Sequence, residues 1–153
     1  MITVELIERI KNALADDEYI RNWCVQTFGR PHTVFIGIDS QNLPRPEDDY
    51  PFIAVLADGQ IRGTSTRGVS WEIMLAVGVS NREEVETDNV RIKTGFSQVT
   101  ALRELAEEAI YTARLGKTET RAAPVIRDGY PDFIVQFSIL IKDIKTSRHG
   151  MPG

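Results

Sequence analysis

Val69-Ser-Trp-Glu-Ile-Met-Leu-Ala-Val-Gly-Val-Ser80 alternates large apolar residues with small or polar ones. Trp71, Ile73, Leu75, Val77 and Val79 fall on one side, and Glu72, Met74, Ala76, Gly78 and Ser80 on the other. A period of two marks a strand that buries one face, so the fold must contain a sheet. Upstream, Pro51 to Ala57 is a nearly continuous apolar run, which predicts an interior strand. Asp58-Gly59 reads as a turn and Gly63-Thr-Ser-Thr-Arg-Gly68 as a flexible loop tip. The two strands are therefore expected to form a long hairpin with an extended loop. Further upstream, Asp39 to Tyr50 is a polar, proline-containing loop and His32 to Ile38 a first strand.

Downstream, residues 81–98 form a long polar connection, a length that often carries function in a compact domain. Within it Val90-Arg-Ile-Lys-Thr alternates and predicts a projecting arm. A last strand pair covers Ala122 to Ile126 and Phe133 to Ile144, with Asp128-Gly129 as a turn. Phe133, Val135, Phe137, Ile139 and Ile141 share a face of the second strand.

Two long segments carry the helical period instead. Ile2, Leu6, Ile7, Ile10 and Leu14 make one stripe over 2–15. Val99, Leu102, Leu105, Ala106, Ala109, Ile110 and Ala113 make another over 99–115, with Gly116 as its expected C-cap. Between the first helix and the first strand, Asp16 is expected to cap a short helix over 17–28 with Tyr19, Ile20, Trp23 and Phe28 as apolar contacts. Gly29 and Arg30-Pro31 would stop it.

The order predicts one α+β domain over 1–144: a mainly antiparallel, four- to five-stranded sheet with two main helices packed on one face. The polar tail 145–153 is expected to be loose. Two helices side by side span ~20 Å, and four strands about 19 Å. Such helices cover one sheet face and leave the other, which would carry Met74, Ala76, Gly78, Ile134 and Leu140. Either the same chain covers part of that face, or a neighbouring subunit packs there or extends the sheet edge.

The 153 residues are enough for one proper core. A net charge of -4 and a pI near 5.2 argue against general nucleic-acid binding, which needs a basic excess unless a local basic loop supplies it. Glu5, Glu8, Asp16, Asp17 and Glu18 argue against a signal peptide, and no run approaches the ~20 apolar residues of a membrane span. The single cysteine, Cys24, fits a reducing, cytoplasmic setting.

Candidate chemistry is sparse. Gly116-Lys117-Thr118 resembles the end of a phosphate-binding loop. However, Tyr111 stands where that loop needs its first glycine, and the triplet closes a helix instead of opening one. Gly59, Gly63 and Gly68 lack dinucleotide spacing. Cys24 has only His32 and His149 in the whole chain as possible bases, so a buried helical cysteine is the better reading. The loop acids Asp48 and Asp49, and Glu83, Glu84, Glu86 and Asp88, read as solvated charge without EF-hand spacing. Trp71 and Met74 read as packing. No catalytic, cofactor or metal residues are expected. Arg62, Arg67, Arg91 and Lys93 fall on the hairpin loop or the arm. They are either ordinary surface charge or a polar contact surface at one end of the sheet, facing a partner or a channel.

One resemblance spans residues 2–144. It consists of an amphipathic helix, then Tyr50-Pro-Phe-Ile-Ala-Val-Leu-Ala-Asp-Gly59, then Ser70-Trp-Glu-Ile-Met-Leu-Ala-Val-Gly-Val79. After a further helix comes Gly129-Tyr-Pro-Asp-Phe-Ile-Val-Gln-Phe-Ser-Ile-Leu-Ile141. This order resembles the tail terminator (tail-completion) proteins of long-tailed bacteriophages and prophages. The resemblance implies a homo-oligomeric ring, commonly a hexamer, that caps the tail tube and joins it to the head-side connector. It implies no catalytic site, no cofactor and no membrane partner. It also implies residence in the host cytoplasm during assembly and then in the virion tail. The alternatives from other classes are a small ligand-binding or enzymatic α+β domain, with its site between helices and sheet, and an adaptor that forms no ring.

Overall fold

The computed structural model describes residues 2–39, 41–56, 60–65, 68–120 and 125–142. The chain runs α1 (Ile2–Ala15), α2 (Glu18–Phe28), β1 (Thr33–Ile36), α3 (Pro46–Asp49), β2 (Phe52–Val55), β3 (Gln60–Ser65) and β4 (Gly68–Ser80). It continues through β5 (Glu84–Thr87), β6 (Val90–Lys93), α4 (Thr94–Thr112), β7 (Lys117–Thr120), β8 (Val125–Gly129) and β9 (Asp132–Lys142). The main sheet has the order β1-β2-β4-β9-β7, with β3 also on β4 and β8 also on β9. All its pairs are antiparallel except β1–β2, which is parallel. The fold is thus α+β, with a mainly antiparallel sheet five strands across.

The spine is the β4–β9 ladder, paired without a break from Trp71↔Ile141 to Ser80↔Asp132. Because side chains alternate, this register puts Trp71, Ile73, Leu75, Val77 and Val79 beside Phe133, Val135, Phe137, Ile139 and Ile141 on one face. Against that face pack Leu6, Ile10 and Leu14 of α1, Ile20 and Cys24 of α2, and Val99, Leu102, Ala106, Ala109 and Ile110 of α4. Each fully buried leucine or isoleucine contributes roughly 1.5–3 kcal/mol, so this single cluster dominates the stability.

The opposite face is not open. Tyr50, Phe52, Ala54 and Ala76 form a second buried cluster, with Phe35, Ile38, Leu56 and Ile134 packed against it. The Phe52 ring lies over Gly78, its β4 partner, so closely that a Cβ there would sit 2.2 Å from Cε2. Ser138 and Leu140 of β9 are buried as well. The same chain thus covers part of this face, with Met74 and Ile134 half-buried.

Several boundaries differ from expectation. Asp17, not Asp16, caps α2: its Oδ1 accepts from the Ile20 N–H at 2.8 Å. Gly29 closes α2 as expected, in the left-handed region at φ 79. Helix α4 starts five residues early, at Thr94. Its first turn contains Gly95, and a Cβ there would fall 2.5 Å from the Phe133 ring. It also ends early, capped at Ala113 with Arg114 left-handed at φ 53, so Gly116 is not its cap.

Of the expected loop tip, Gly68 opens β4, and Gly63, Thr64 and Ser65 belong to strand β3. It continues the edge begun by β2 along the first half of β4, with a register shift between Ile61 and Gly63. Lys117–Thr120, unassigned in the sequence reading, is the edge strand β7. Asp128 and Gly129 end β8, and the turn falls on Tyr130 and Pro131. The 39–50 loop contains the short helix α3. The predicted turn at Asp58-Gly59, Arg67, most of the 122–126 strand and the tail 145–153 lie outside the described residues.

Candidate functional site

Beyond Ser80 the chain leaves the main sheet and builds a separate two-stranded hairpin from β5 and β6. Its register pairs Glu84↔Lys93, Val85↔Ile92, Glu86↔Arg91 and Thr87↔Val90. Opposed residues share a face. One face therefore carries Glu84, Glu86, Arg91 and Lys93, and the other Val85, Thr87, Val90 and Ile92. Asp88 makes the reversal at φ 54, a conformation that aspartate tolerates better than most residues.

At its base the charged face is held by the body of the protein. Lys93 pairs with Glu84 and lies over the Tyr130 ring, 4.3 Å from its centroid. The Tyr130 hydroxyl donates to the Arg82 carbonyl at 2.6 Å. At the hairpin's base, the Thr94 N–H donates to the Glu83 carbonyl at 3.1 Å, and its hydroxyl donates to Glu83 Oε1 at 2.9 Å. Asn81 is fixed in turn by its amide donating to Gln98 at 2.8 Å and its N–H donating to the Pro131 carbonyl at 2.9 Å. The hydrogen bond from Lys93 holds the Glu84 carboxyl below its usual range, and the same bond holds Lys93 above its own.

Both faces stand in solvent away from the base. On the charged face only Glu84 and Lys93 are partly covered, while Glu86 and Arg91 are 60% and 71% exposed; on the other, Val85, Val90 and Ile92 are about half exposed. A hairpin satisfied by its own chain would turn these aliphatic side chains inward. A one-residue slip would exchange the faces, and the clamps at Lys93, Thr94 and Tyr130 prevent it. Phe96, in the first turn of α4, is exposed as well.

Of the expected interface residues, Arg91 and Lys93 lie together on β6. Arg91 Nε stands 3.6 Å from Glu86 and 3.8 Å from Glu84, so both cations engage acids of their own hairpin. Arg62 lies on β3, which pairs with the start of β4, and Arg67 lies outside the described residues. Segments 60–65 and 84–93 join opposite ends of β4, so among the described residues Arg62 does not share one end of the sheet with Arg91 and Lys93. Sequence reasoning missed the apolar face. Its signal was the alternation of Val85 with Glu84 and Glu86, mirrored by Val90 and Ile92 around Arg91.

The remaining candidates are structural. Cys24 is buried on the inner side of α2, and burial pushes its thiol up to about 12, so it stays protonated. Lys117 and Thr118 open a strand, not a helix, which removes the phosphate-loop geometry. Asp49 accepts from the Arg45 N–H at 2.8 Å at the start of α3.

A cleft of about 220 Å³ is lined by Arg30, Glu47, Tyr50 and Ser80 among others. Two of its polar groups are already engaged. Arg30 donates to the Glu47 and Asp48 carbonyls, and Ser80 donates to Asp132 at 2.8 Å. The Tyr50 hydroxyl beside them is pushed up to about 12 by burial and by Asp132. A groove of about 470 Å³ lies between the start of α2 and the end of α4, with Asp17, Tyr19, Leu105 and Glu108 among its walls.

Among the described residues, no group of His, Cys, Asp and Glu is arranged to hold a metal ion. No helix there is long and apolar enough to cross a membrane. No family model matches the chain, and no curated protein matches it.

Proposed function

We propose that this chain is a structural assembly protein of the phage tail terminator kind, which acts as a homo-oligomeric ring capping a tail tube and meeting the head-side connector. The observation that carries the reading is the β5–β6 hairpin, an element clamped at its base that leaves Val85, Val90 and Ile92 together on one half-exposed face. Clustered exposed aliphatic surface fits a protein-docking role. The order of strands and helices along 2–144 supports the same reading through its resemblance to that family. A ligand-binding role has less support. The 220 Å³ cleft is below the ~300 Å³ where small-molecule sites begin, and its Arg30 and Ser80 already bond to the protein; the groove of about 470 Å³ between α2 and α4 is large enough, and competition for it is the ligand-binding reading's own test.

The direct test is binding to purified tail tubes that lack a terminator, followed by electron microscopy of the tube ends. The reading expects end-on caps and tubes of fixed length. Val85→Asp/Ile92→Asp should abolish capping while leaving the thermal unfolding midpoint within a degree or two. A protein that neither caps tubes nor limits their length would overturn the reading.

A further inference from the structure

The groove between α2 and α4 is lined by Asp17, Tyr19, Leu105, Glu108, Ala109 and Thr112, with no base among them. Among the described residues the Asp17 carboxylate accepts from the Ile20 N–H and pairs with no cation, and Glu108 pairs with none either. The surroundings are acidic on balance. On the α2 side Asp16, Asp17 and Glu18 stand against Arg21, and on the α4 side Glu104, Glu107 and Glu108 stand against Arg103 and Arg114. Arg103 is itself held by Glu104 and Glu107. Tyr19 leaves a ring 81% exposed at the groove's edge.

Strand β9 ends near this groove. Lys142 pairs with Lys117, and the chain between Thr112 and Lys117 is short. At ~3.3 Å per residue and ~4.8 Å between strands, Thr112 lies within about 21 Å of Lys142. Beyond Lys142 the sequence runs Asp-Ile-Lys-Thr-Ser-Arg-His-Gly-Met151, outside the described residues. Asp143, its one acid, is outnumbered by Lys145 and Arg148. Extended chain carries Arg148 about 20 Å from Lys142 and Met151 about 30 Å.

We propose that the segment from Ile144 to Met151 turns back past the end of α4 and occupies the α2–α4 groove of its own subunit. Arg148 meets Glu108 and Asp17, and Met151 lies on Leu105 and Ala109 beside Tyr19. Lys145 falls nearer the C-terminal end of α4, where the helix carbonyls favour a cation. Exposed ion pairs contribute little each. Tethering offsets this, because a short linker supplies an effective concentration in about the millimolar range. The contact is independent of the assembly reading.

Paramagnetic relaxation in the full-length chain reads the contact. Ser147→Cys supplies a nitroxide site, and Cys24 is spared because it is buried and stays protonated. Near neutral pH and at low salt, the amides of Leu105 to Thr112 and of Asp17 to Ile20 should broaden, and the broadening should fall as salt rises. Lys145→Glu/Arg148→Glu keeps the tether and reverses its charge, so occupancy of the groove should fall roughly fivefold or more. Adding Glu108→Lys to that variant should restore much of it.

Unchanged amide positions away from the groove confirm that each variant is folded before its result is read. A mixture of spin-labelled chains without isotope and isotope-labelled chains without nitroxide should leave the groove amides sharp. Groove amides that stay sharp in the singly labelled chain, or that broaden equally in the charge-reversed variant, overturn the contact. Broadening of the same strength in the mixed sample places the segment on a neighbouring copy and overturns docking within one subunit.

Discussion

Replacing Gly78 with alanine puts a methyl group into the Phe52 ring. The added Cβ would lie 2.2 Å from Cε2, 2.8 Å from Cζ and 2.9 Å from Cδ2. The ring cannot easily withdraw. It is buried, and it packs edge-on against Tyr50 and Phe35, with centroids 4.9 and 6.0 Å away. Overpacking of this kind costs ~1–3 kcal/mol. Alanine recovers ~0.5–1 kcal/mol because it loses less backbone entropy than glycine in a strand. A net loss of about 1–2 kcal/mol corresponds to a midpoint lowered by roughly 2–8 °C in a domain of this size. Thermal unfolding followed by circular dichroism measures it.

Phe52→Ala alone should cost ~3–5 kcal/mol through the cavity it leaves. In the double variant the new methyl occupies part of that cavity, so the two losses should fall short of additivity by about 1 kcal/mol or more. An unchanged midpoint for Gly78→Ala, or strict additivity, would refute the packing. The second sheet face would then be open and would compete with the hairpin as a docking surface.

Two pH-dependent effects follow from named groups. Burial holds His32 below its ordinary 6.5, its Nε2–H donates to the Leu14 carbonyl at 2.7 Å, and its buried Nδ1 has no partner among the described residues. The unfolded chain takes up the proton first, so stability should fall as pH drops through about 6.5. His32→Gln should flatten that decline in the unfolding midpoint, and parallel curves for the two proteins would refute the assignment.

Glu84 is held below its ordinary 4.5 and Lys93 above its ordinary 10.5. The clamp is therefore complete between those values, lost on the acid side as Glu84 protonates and on the alkaline side as Lys93 deprotonates. Hydrogen exchange, corrected for intrinsic rates, should show protection of 84–93 falling below about pH 4.5. Glu84→Gln should have low protection throughout, with little change in overall midpoint; full protection in that variant would show that the clamp lies elsewhere.

The β4 strand was legible because one of its faces is a wall of large aliphatic side chains and the other is not. β9 was legible for the same reason, and α1 because its stripe meets the sheet. The departures have local causes. Thr94 to Gln98 shows no apolar period because the helix there meets the core through Gly95, where the contact is made by the absence of a side chain under Phe133. β3 was hidden because Gln-Ile-Arg-Gly-Thr-Ser carries a single large apolar residue and so no alternation. The closed second face was hidden because Phe52 reads as an interior strand residue, and nothing local says that its ring lies over a glycine 26 positions away. At the candidate site, the cations were visible but their partners were not. Cross-strand pairing of Arg91 with Glu86 and of Lys93 with Glu84 depends on the turn at Asp88, which sets the register.

That register also bears on the docking role proposed for so small a hairpin. A two-stranded hairpin with four-residue strands is marginal in water by itself. Surface ion pairs such as Arg91–Glu86 add little. Its order is imposed from the base instead, where Thr94 grips Glu83, Tyr130 grips Arg82 and Lys93 lies on the Tyr130 ring. Tyr130 is tied in turn to the core through Phe133, 6.1 Å away and edge-on, and Phe133 sits under Gly95 of α4. The hairpin therefore inherits the rigidity of the β4–β9 ladder and of α4. An element ordered before it meets a partner loses little conformational entropy on binding, so more of its small apolar area is available as affinity. A flexible loop bearing the same valines and isoleucine would lose that advantage, and the clamps would have no purpose.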